Sequence, residues 1–409
     1  WLEESGINTI ATEVEENADG TIASLTLNQT APAEHPVLRP HRLAVGFYDE
    51  DPATGKIVRT DRFELDVDGE STVVAAAAGK KRPAFILVND EDLTYTKLRF
   101  DADSLSFALA NLQRFDDALA RAVVWLSLWD MTRDGDLAAE KFIDTTLALL
   151  ATETESTTFR YALSCMSTTA WHYTAPDRRA DVVKHVAKEL WKLVIAAPGG
   201  SDQQFQLVTA YLGYGEEGDA EFAEHAQGLF DGSLIVAGLE IDNNFTWTII
   251  NALSSVKLID QAGIDAQLAK RDTTENREFA LGAHAVRGDA AAKEWAWNEA
   301  LNNADLTNMQ LEAVARGFGA TPRPDLAEPY AAKYYDVVDW VWKNKSFHMA
   351  EALLEGLYPY YADPATLVEL GHRWLADHED ADNALKRIVR GNVESSQRTL
   401  KVRDFNAAL

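Results

Sequence analysis

The sequence predicts α and β structure segregated into separate domains. A small β-sandwich occupies residues 1–98, and a large all-α, HEAT-like superhelical domain follows over 99–409. Three observations predict this. Before about residue 98 apolar residues alternate with polar ones. Beyond it they recur every three or four positions. Of the eleven tryptophans, Trp1 lies before that point and ten lie after it.

In the first part, Ala23, Leu25 and Leu27 alternate with Ser24, Thr26 and Asn28. Leu43, Val45 and Phe47 alternate with Arg42, Ala44 and Gly46, and Phe63, Leu65 and Val67 with Glu64, Asp66 and Asp68. A period of two puts one set on a buried face and the other in water. Val73-Val74 and Phe85-Ile86-Leu87-Val88 give two more strands. Asp19-Gly20, Asp51-Pro52, Thr54-Gly55 and Asp68-Gly69 supply the turns. Ala75 to Pro83 reads as a loop or a poor strand end.

In the second part, Leu105, Leu109, Leu112 and Phe115 step by helical intervals, as do Val182, Val186, Leu190 and Leu193. Ser201 with Gln204, Thr307 with Gln310, and Asp363 before Pro364 mark helix starts. Gly135, Pro198-Gly199-Gly200, Gly213, Gly288 and Gly391 mark stops. At ordinary helix and loop lengths, about fourteen to seventeen helices fit. Their pairing every thirty-five to forty-five residues or so is the period of HEAT-like arrays, with a compact bundle as the alternative.

Composition excludes several functions. Apolar residues make up 46% and charged residues 25%, as in a globular protein rather than a disordered one. A net charge of −27 repels phosphate backbones and anionic membranes, so neither nucleic acid nor membrane is an expected partner. It favours cationic ligands such as a peptide amino terminus. The lone Cys165 closes no internal disulfide. No run approaches the ~18 apolar residues of a membrane span. Trp1 to Gly6 lack the basic and apolar regions of a secretory signal. Because the chain starts at Trp rather than Met, it is expected to be processed or part of a longer protein.

No motif assembles a catalytic site. Gly213, Gly215 and Gly218 spell G-x-G-x-x-G, but they follow a helical run rather than a strand and enclose Glu216 and Glu217, which repel phosphate. The stretch reads as an interhelical loop. His378-Glu379-Asp380-Ala381-Asp382 opens like H-E-x-x-H but ends in Asp, so only a weak cluster of His372, His378 and Asp382 is conceivable. The plainer reading is a polar loop with an Asp N-cap. Ser254-Ser255-Val256-Lys257 matches S-x-x-K without its partner motifs. Cys165, in a helical run near His172, reads as a buried hydrophobe. The sequons at Asn28, Asn244 and Asn344 say little without secretion. The pairs Trp125 and Trp129, Trp295 and Trp297, and Trp340 and Trp342 read as helix packing.

The order of the pieces nevertheless resembles a known family. Trp1 to Ile10 resembles the segment that closes the catalytic domain of aminopeptidase N-type zinc metallopeptidases and enters their β-sandwich. Leu25-Thr26-Leu27-Asn28-Gln29 and Pro36-Val37-Leu38-Arg39-Pro40-His41-Arg42-Leu43 resemble that sandwich's own pattern. Leu87 to Asp101 (LVNDEDLTYTKLRFD) is similar to the family's junction into its helical domain. Leu126 to Gly135 (LSLWDMTRDG) and Val393 to Leu400 (VESSQRTL) are similar to signatures of that domain, known as ERAP-like. The likeness spans the chain in order, and its subgroup looks actinobacterial.

The resemblance implies that this is a C-terminal half. G-x-M-E-N and H-E-x-x-H are absent, so no catalytic, metal or cofactor residue carries over and the chain alone is expected to be inactive. Zinc would sit in a catalytic domain preceding Trp1. The expected partners are the N-terminal and catalytic domains of the same polypeptide, and peptide substrates. The helical domain would cap the active-site cleft and restrict peptide access, with Trp125, Trp129 and Arg133 as substrate-facing candidates. The implied location is cytoplasmic. The alternative is an independent helical scaffold that binds a peptide or protein.

Overall fold

The computed structural model describes residues 5–409, so Trp1 to Glu4 of the entry segment lie outside the described residues. The first hundred residues form two sheets. Strand β1 (Thr9–Glu16) pairs antiparallel with β2 (Ile22–Thr30). Strands β3 (His41–Glu50) and β4 (Ile57–Val67) form a long antiparallel pair. Strand β5 (Ser71–Val73) then adds to β2, β6 (Phe85–Val88) to β3, and β7 (Lys97–Arg99) runs parallel to β1. The orders are β5-β2-β1-β7 and β4-β3-β6. Helices follow without further strands, seventeen α-helical segments among the described residues from Ala102 to Ala407.

The alternation holds where a strand has one wet face and fails elsewhere. Leu25, Leu27, Leu43, Val45 and Phe47 are buried as expected. Ala23 is exposed instead. A bulge between Glu15 and Glu16 pairs Glu15 with Ser24 and Glu16 with Ile22, so Ile22 takes the inward position. Ala44 and Gly46 are buried along with their neighbours, because β3 is the central strand and is covered on both faces. Phe63 and Leu65 are only half-buried on β4, an edge strand. Val73 is exposed while Val74 is buried. Ala75–Ala77 is a short 3-10 turn.

The helix signals fare similarly. Ser201 accepts from the Gln204 amide, Thr307 and Gln310 form a full capping box, and Asp363 caps the helix Pro364–Asp377. Replacing Thr307 by alanine is expected to lower stability by about 1 kcal/mol, read as a shift of the urea midpoint. Gly135 ends the helix Ala118–Asp134 at φ 74°, a left-handed conformation that a side chain would strain. Gly391 overturns its expectation. It lies on the exposed side of the helix Asn383–Ala407, which continues past it. Tertiary burial of Ile388, Val389 and Val393 outweighs the roughly 1 kcal/mol a mid-helix glycine costs.

The chain divides into two compact units, one running to Thr169 and including Ala408–Leu409, the other Ala170–Ala407. In the first, the family-like segments lock one another. Gln29 Oε1 meets the His41 ring and accepts from the Arg39 amide. Asn89, at φ 59°, exchanges hydrogen bonds with Thr94 across its own loop. Buried Asp90 accepts from Tyr48 and Arg59. Lys97 and Arg99 then converge on Asp134 at 2.6 Å, joining the LVNDEDLTYTKLRFD and LSLWDMTRDG stretches. These motifs are fasteners of the fold.

In the second unit, neighbouring helices pair in sequence, as in Arg179–Ala196 with Asp202–Leu212 and Pro364–Asp377 with Asn383–Ala407. Contacts also link alternate helices, such as Thr274–Ala285 with Asn308–Gly319. There Gly317 sits so close that a Cβ would lie 2.6 Å from the Gly282 carbonyl oxygen. One large apolar core runs from Ala285 to Val393, built on Trp297, Tyr334, Tyr358 and Trp374.

Candidate functional site

In the first unit the three substrate-facing candidates share one helix, Ala118–Asp134. Trp125 is 1% exposed, with its indole N–H on Thr146 Oγ1 and its ring against Phe142 and Tyr161. Trp129 also packs on Phe142, and the half-buried Arg133 guanidinium lies 5.6 Å from its ring centre. Cys165 is buried nearby, and burial pushes its thiol up to about 12, so it stays protonated at neutral pH and is a poor nucleophile.

In the second unit the H-E-x-x-D residues part company. His378 stacks on Trp374 and reaches Asp339 at 2.9 Å. His372 meets Gln397, and Asp382 accepts from the Ala384 amide as the N-cap reading expects. Among the described residues no group of three His, Cys, Asp or Glu side chains could hold a metal ion.

The G-x-G-x-x-G loop and the S-x-x-K match do meet. The G-x-G-x-x-G stretch joins the helices Asp202–Leu212 and Ala220–Asp231. Together with Ser255 and Val256 of S-x-x-K, and with Trp171 and Arg323, it lines a cavity of about 650 Å³. Lys257 is occupied by Glu217, which also binds Arg323 at 2.7 Å, and the motif's serine, Ser254, is fully buried with no hydrogen-bond partner on its hydroxyl among the described residues. No activated serine results. Glu216, half-buried on the same wall, is the anomalous group. Burial and then Asp219 raise its carboxyl above the ordinary range.

Sequence reasoning missed the basic cluster behind this wall. His172 and Trp171 sit on a π-helical turn, Thr169–Tyr173, that continues the helix Ser156–Thr168. His172 stacks on Tyr361 at 4.7 Å, and Arg403 donates to its carbonyl. Burial, Arg403 and Arg179 push the His172 ring down to about 3, so it is neutral. Residues 172, 179, 361 and 403 stand in no sequence pattern, and only the fold assembles them. No helix among the described residues is long and apolar enough to cross a membrane.

Fold and side chains together define a class: a two-sheet module leading into an extended series of paired helices, with no catalytic constellation among the described residues. The chain belongs to the ERAP1-like C-terminal domain family, which matches residues 85–398. It is 34% identical over 414 residues to Aminopeptidase N of Streptomyces lividans, a match covering 100% of this chain and 48% of that protein. The chain thus spans about half the length of the curated relative it matches. Both findings agree with the motif-based reading of a C-terminal half of an aminopeptidase N-type peptidase.

Proposed function

We propose that this chain is the non-catalytic C-terminal portion of a zinc aminopeptidase that removes N-terminal amino acids from peptides. Its helices form a HEAT-like array that caps the active-site cleft and restricts peptide access. The observation that carries this reading is the alignment to Aminopeptidase N along the whole chain. On this reading the zinc and the bond-breaking groups belong to other domains of the same polypeptide, and no residue of this chain is assigned to them. The partners are those domains and the peptide. Nucleic acid and membranes are disfavoured by the charge of −27, and the location is cytoplasmic. The contacts between successive and alternate helices support an array with a binding face, which also suits the second reading, an independent scaffold for a peptide or protein.

The test compares the chain alone with the longer polypeptide encoded by its gene. The chain alone is expected to release nothing from an aminoacyl p-nitroanilide, while the longer protein turns it over in a chelator-sensitive way. Loosening the helical array should change the longer protein's preference between short and long peptides more than its turnover of the anilide. Chelator-sensitive turnover by the isolated chain would overturn the proposal. A gene that encodes this chain alone, with tight saturable partner binding, would favour the scaffold.

A further inference from the structure

The helices Ala331–Asn344 and Phe347–Gly356 are joined by two residues, Lys345 and Ser346. Each helix buries one face, with Tyr334, Val338 and Val341 in the first and Met349, Ala350 and Leu353 in the second. Both sets belong to the large apolar core. Around the turn stand Trp340, Trp342 and Phe347, three aromatic residues within eight positions. Trp340 is 43% exposed and Phe347 52%. Single exposed apolar residues are ordinary, but these are neither single nor loose. The half-buried Trp342 rests on the core and meets the Phe347 ring edge to face, with ring centres 5.6 Å apart. The Lys345 ammonium lies 5.8 Å from the Trp340 ring centre. The rings are thus held in place before any partner arrives, which lowers the entropy lost on binding.

The charge of this turn is opposite to that of the chain. Trp340 to His348 hold two lysines and no carboxylate, in a protein of net charge −27. Lys343 is exposed and Lys345 half-buried, and neither forms an ion pair among the described residues. Carboxylates of the adjoining helices have other partners. Asp339 meets His378 at 2.9 Å, Glu312 meets His348 at 3.4 Å and Glu351 meets Arg387 at 3.7 Å. Asp336, a turn before Trp340, is exposed. The lysines also suit the negative end of the first helix, but that role does not call for exposed rings. Fixed aromatic rings beside uncommitted cations suit a partner that is apolar and anionic at once. An anionic lipid surface would meet the whole acidic molecule, whereas a peptide segment meets this turn alone.

We propose that the turn between Ala331–Asn344 and Phe347–Gly356 docks an acidic, apolar segment of another protein. Trp340 and Phe347 take its apolar side chains, and Lys343 and Lys345 its carboxylates. The proposal goes beyond the aminopeptidase reading and does not rest on it.

Calorimetric titration of the 409-residue chain tests it with three hexapeptides. All are acetylated and amidated, so neither terminus is charged or open to an aminopeptidase. N-acetyl-Glu-Glu-Leu-Phe-Glu-Glu-amide is expected to bind saturably, and more weakly as salt is raised. The peptide with Gln for every Glu, and the one with Ser-Ser for Leu-Phe, should bind about tenfold more weakly or worse. Lys343→Glu and Trp340→Ala, both at exposed positions, should each weaken the first peptide about fivefold with the melting temperature unchanged. Equal binding of the three peptides overturns the proposal, as does unchanged binding in either variant. So does a chain that binds none of the peptides, and one that instead binds phosphatidylglycerol vesicles identifies a lipid surface as the partner.

Discussion

Lys293→Met is expected to destabilise the protein by about 3 kcal/mol at neutral pH, although the lysine touches no candidate site. Lys293 is 2% exposed, in the helix Ala290–Asn302. Its ammonium donates to the Ala285, Gly317 and Phe318 carbonyls and to Thr321 Oγ1. Those carbonyls close the helices Thr274–Ala285 and Asn308–Gly319, whose C-termini carry orphan acceptors and the negative end of the dipole. Methionine fills the volume but leaves the acceptors buried and unpaired. The pH dependence supplies a second readout. Burial pushes the Lys293 ammonium down to about 7, against ~10.4 for an unfolded lysine. Between those values the unfolded chain binds more protons, so the lysine's contribution to stability rises with pH from about 7 to about 10 and is level outside that window. The gap between wild type and Lys293→Met should therefore widen across it. Urea midpoints at pH 7 and pH 9.5 decide, and a constant gap, or one under ~1 kcal/mol, would sink the account.

That lysine also shows where sequence reading stops. In Ala290-Ala291-Ala292-Lys293-Glu294 it looks like an ordinary surface charge, and only the convergence of two helix ends from elsewhere buries it. Local features were legible because their causes are local. The Thr307–Gln310 capping box needs four consecutive residues, and the alternation of Leu43, Val45 and Phe47 needs five. Ala23 was misplaced because the bulge that turns it outward is set by the pairing partner. Strand β7 escaped notice because three residues show no period, and its parallel pairing with β1 is made by chain almost ninety residues away. Gly391 was misread because the packing that sustains its helix is tertiary.

The candidate site divides along the same line. The loops lining the cavity were recognisable as loops from Gly213 to Gly218, where Glu216 and Glu217 spoke against phosphate. That they meet Trp171 and Arg323 follows from helix packing alone. The guanidinium pair is invisible for a simpler reason. Arg179 and Arg403 are ordinary helical arginines in sequence, and what sets them apart is that each has buried N–H groups without an acceptor, a property of three-dimensional surroundings. The family-like motifs supplied what local physics could not, and the structure gives several of them a mechanical meaning in Gln29, Asn89, Asp90 and Asp134.

Trp125→Ala is expected to cost about 4 kcal/mol, with loss of fold integrity rather than a selective change in ligand preference. The indole is 1% exposed, lies against Phe142 and Tyr161 with ring centres 5.9 and 5.7 Å away, and donates to Thr146 Oγ1 at 3.2 Å. Alanine would open a cavity too deep to collapse, since Val124, Leu128 and Phe142 are themselves buried and fixed by the same core. It would also leave the buried Thr146 hydroxyl without the indole donor. Trp125→Phe separates the two roles open to this residue. Phenylalanine keeps most of the apolar volume and loses the N–H, so a packing role predicts a smaller cost of about 1–2 kcal/mol and unchanged peptide binding. A residue lining a peptide path predicts the reverse, near-normal stability with altered peptide binding. Urea unfolding of both variants, with peptide titration of Trp125→Phe, distinguishes them. A stable Trp125→Ala chain would show that the side chain faces a space other than this core.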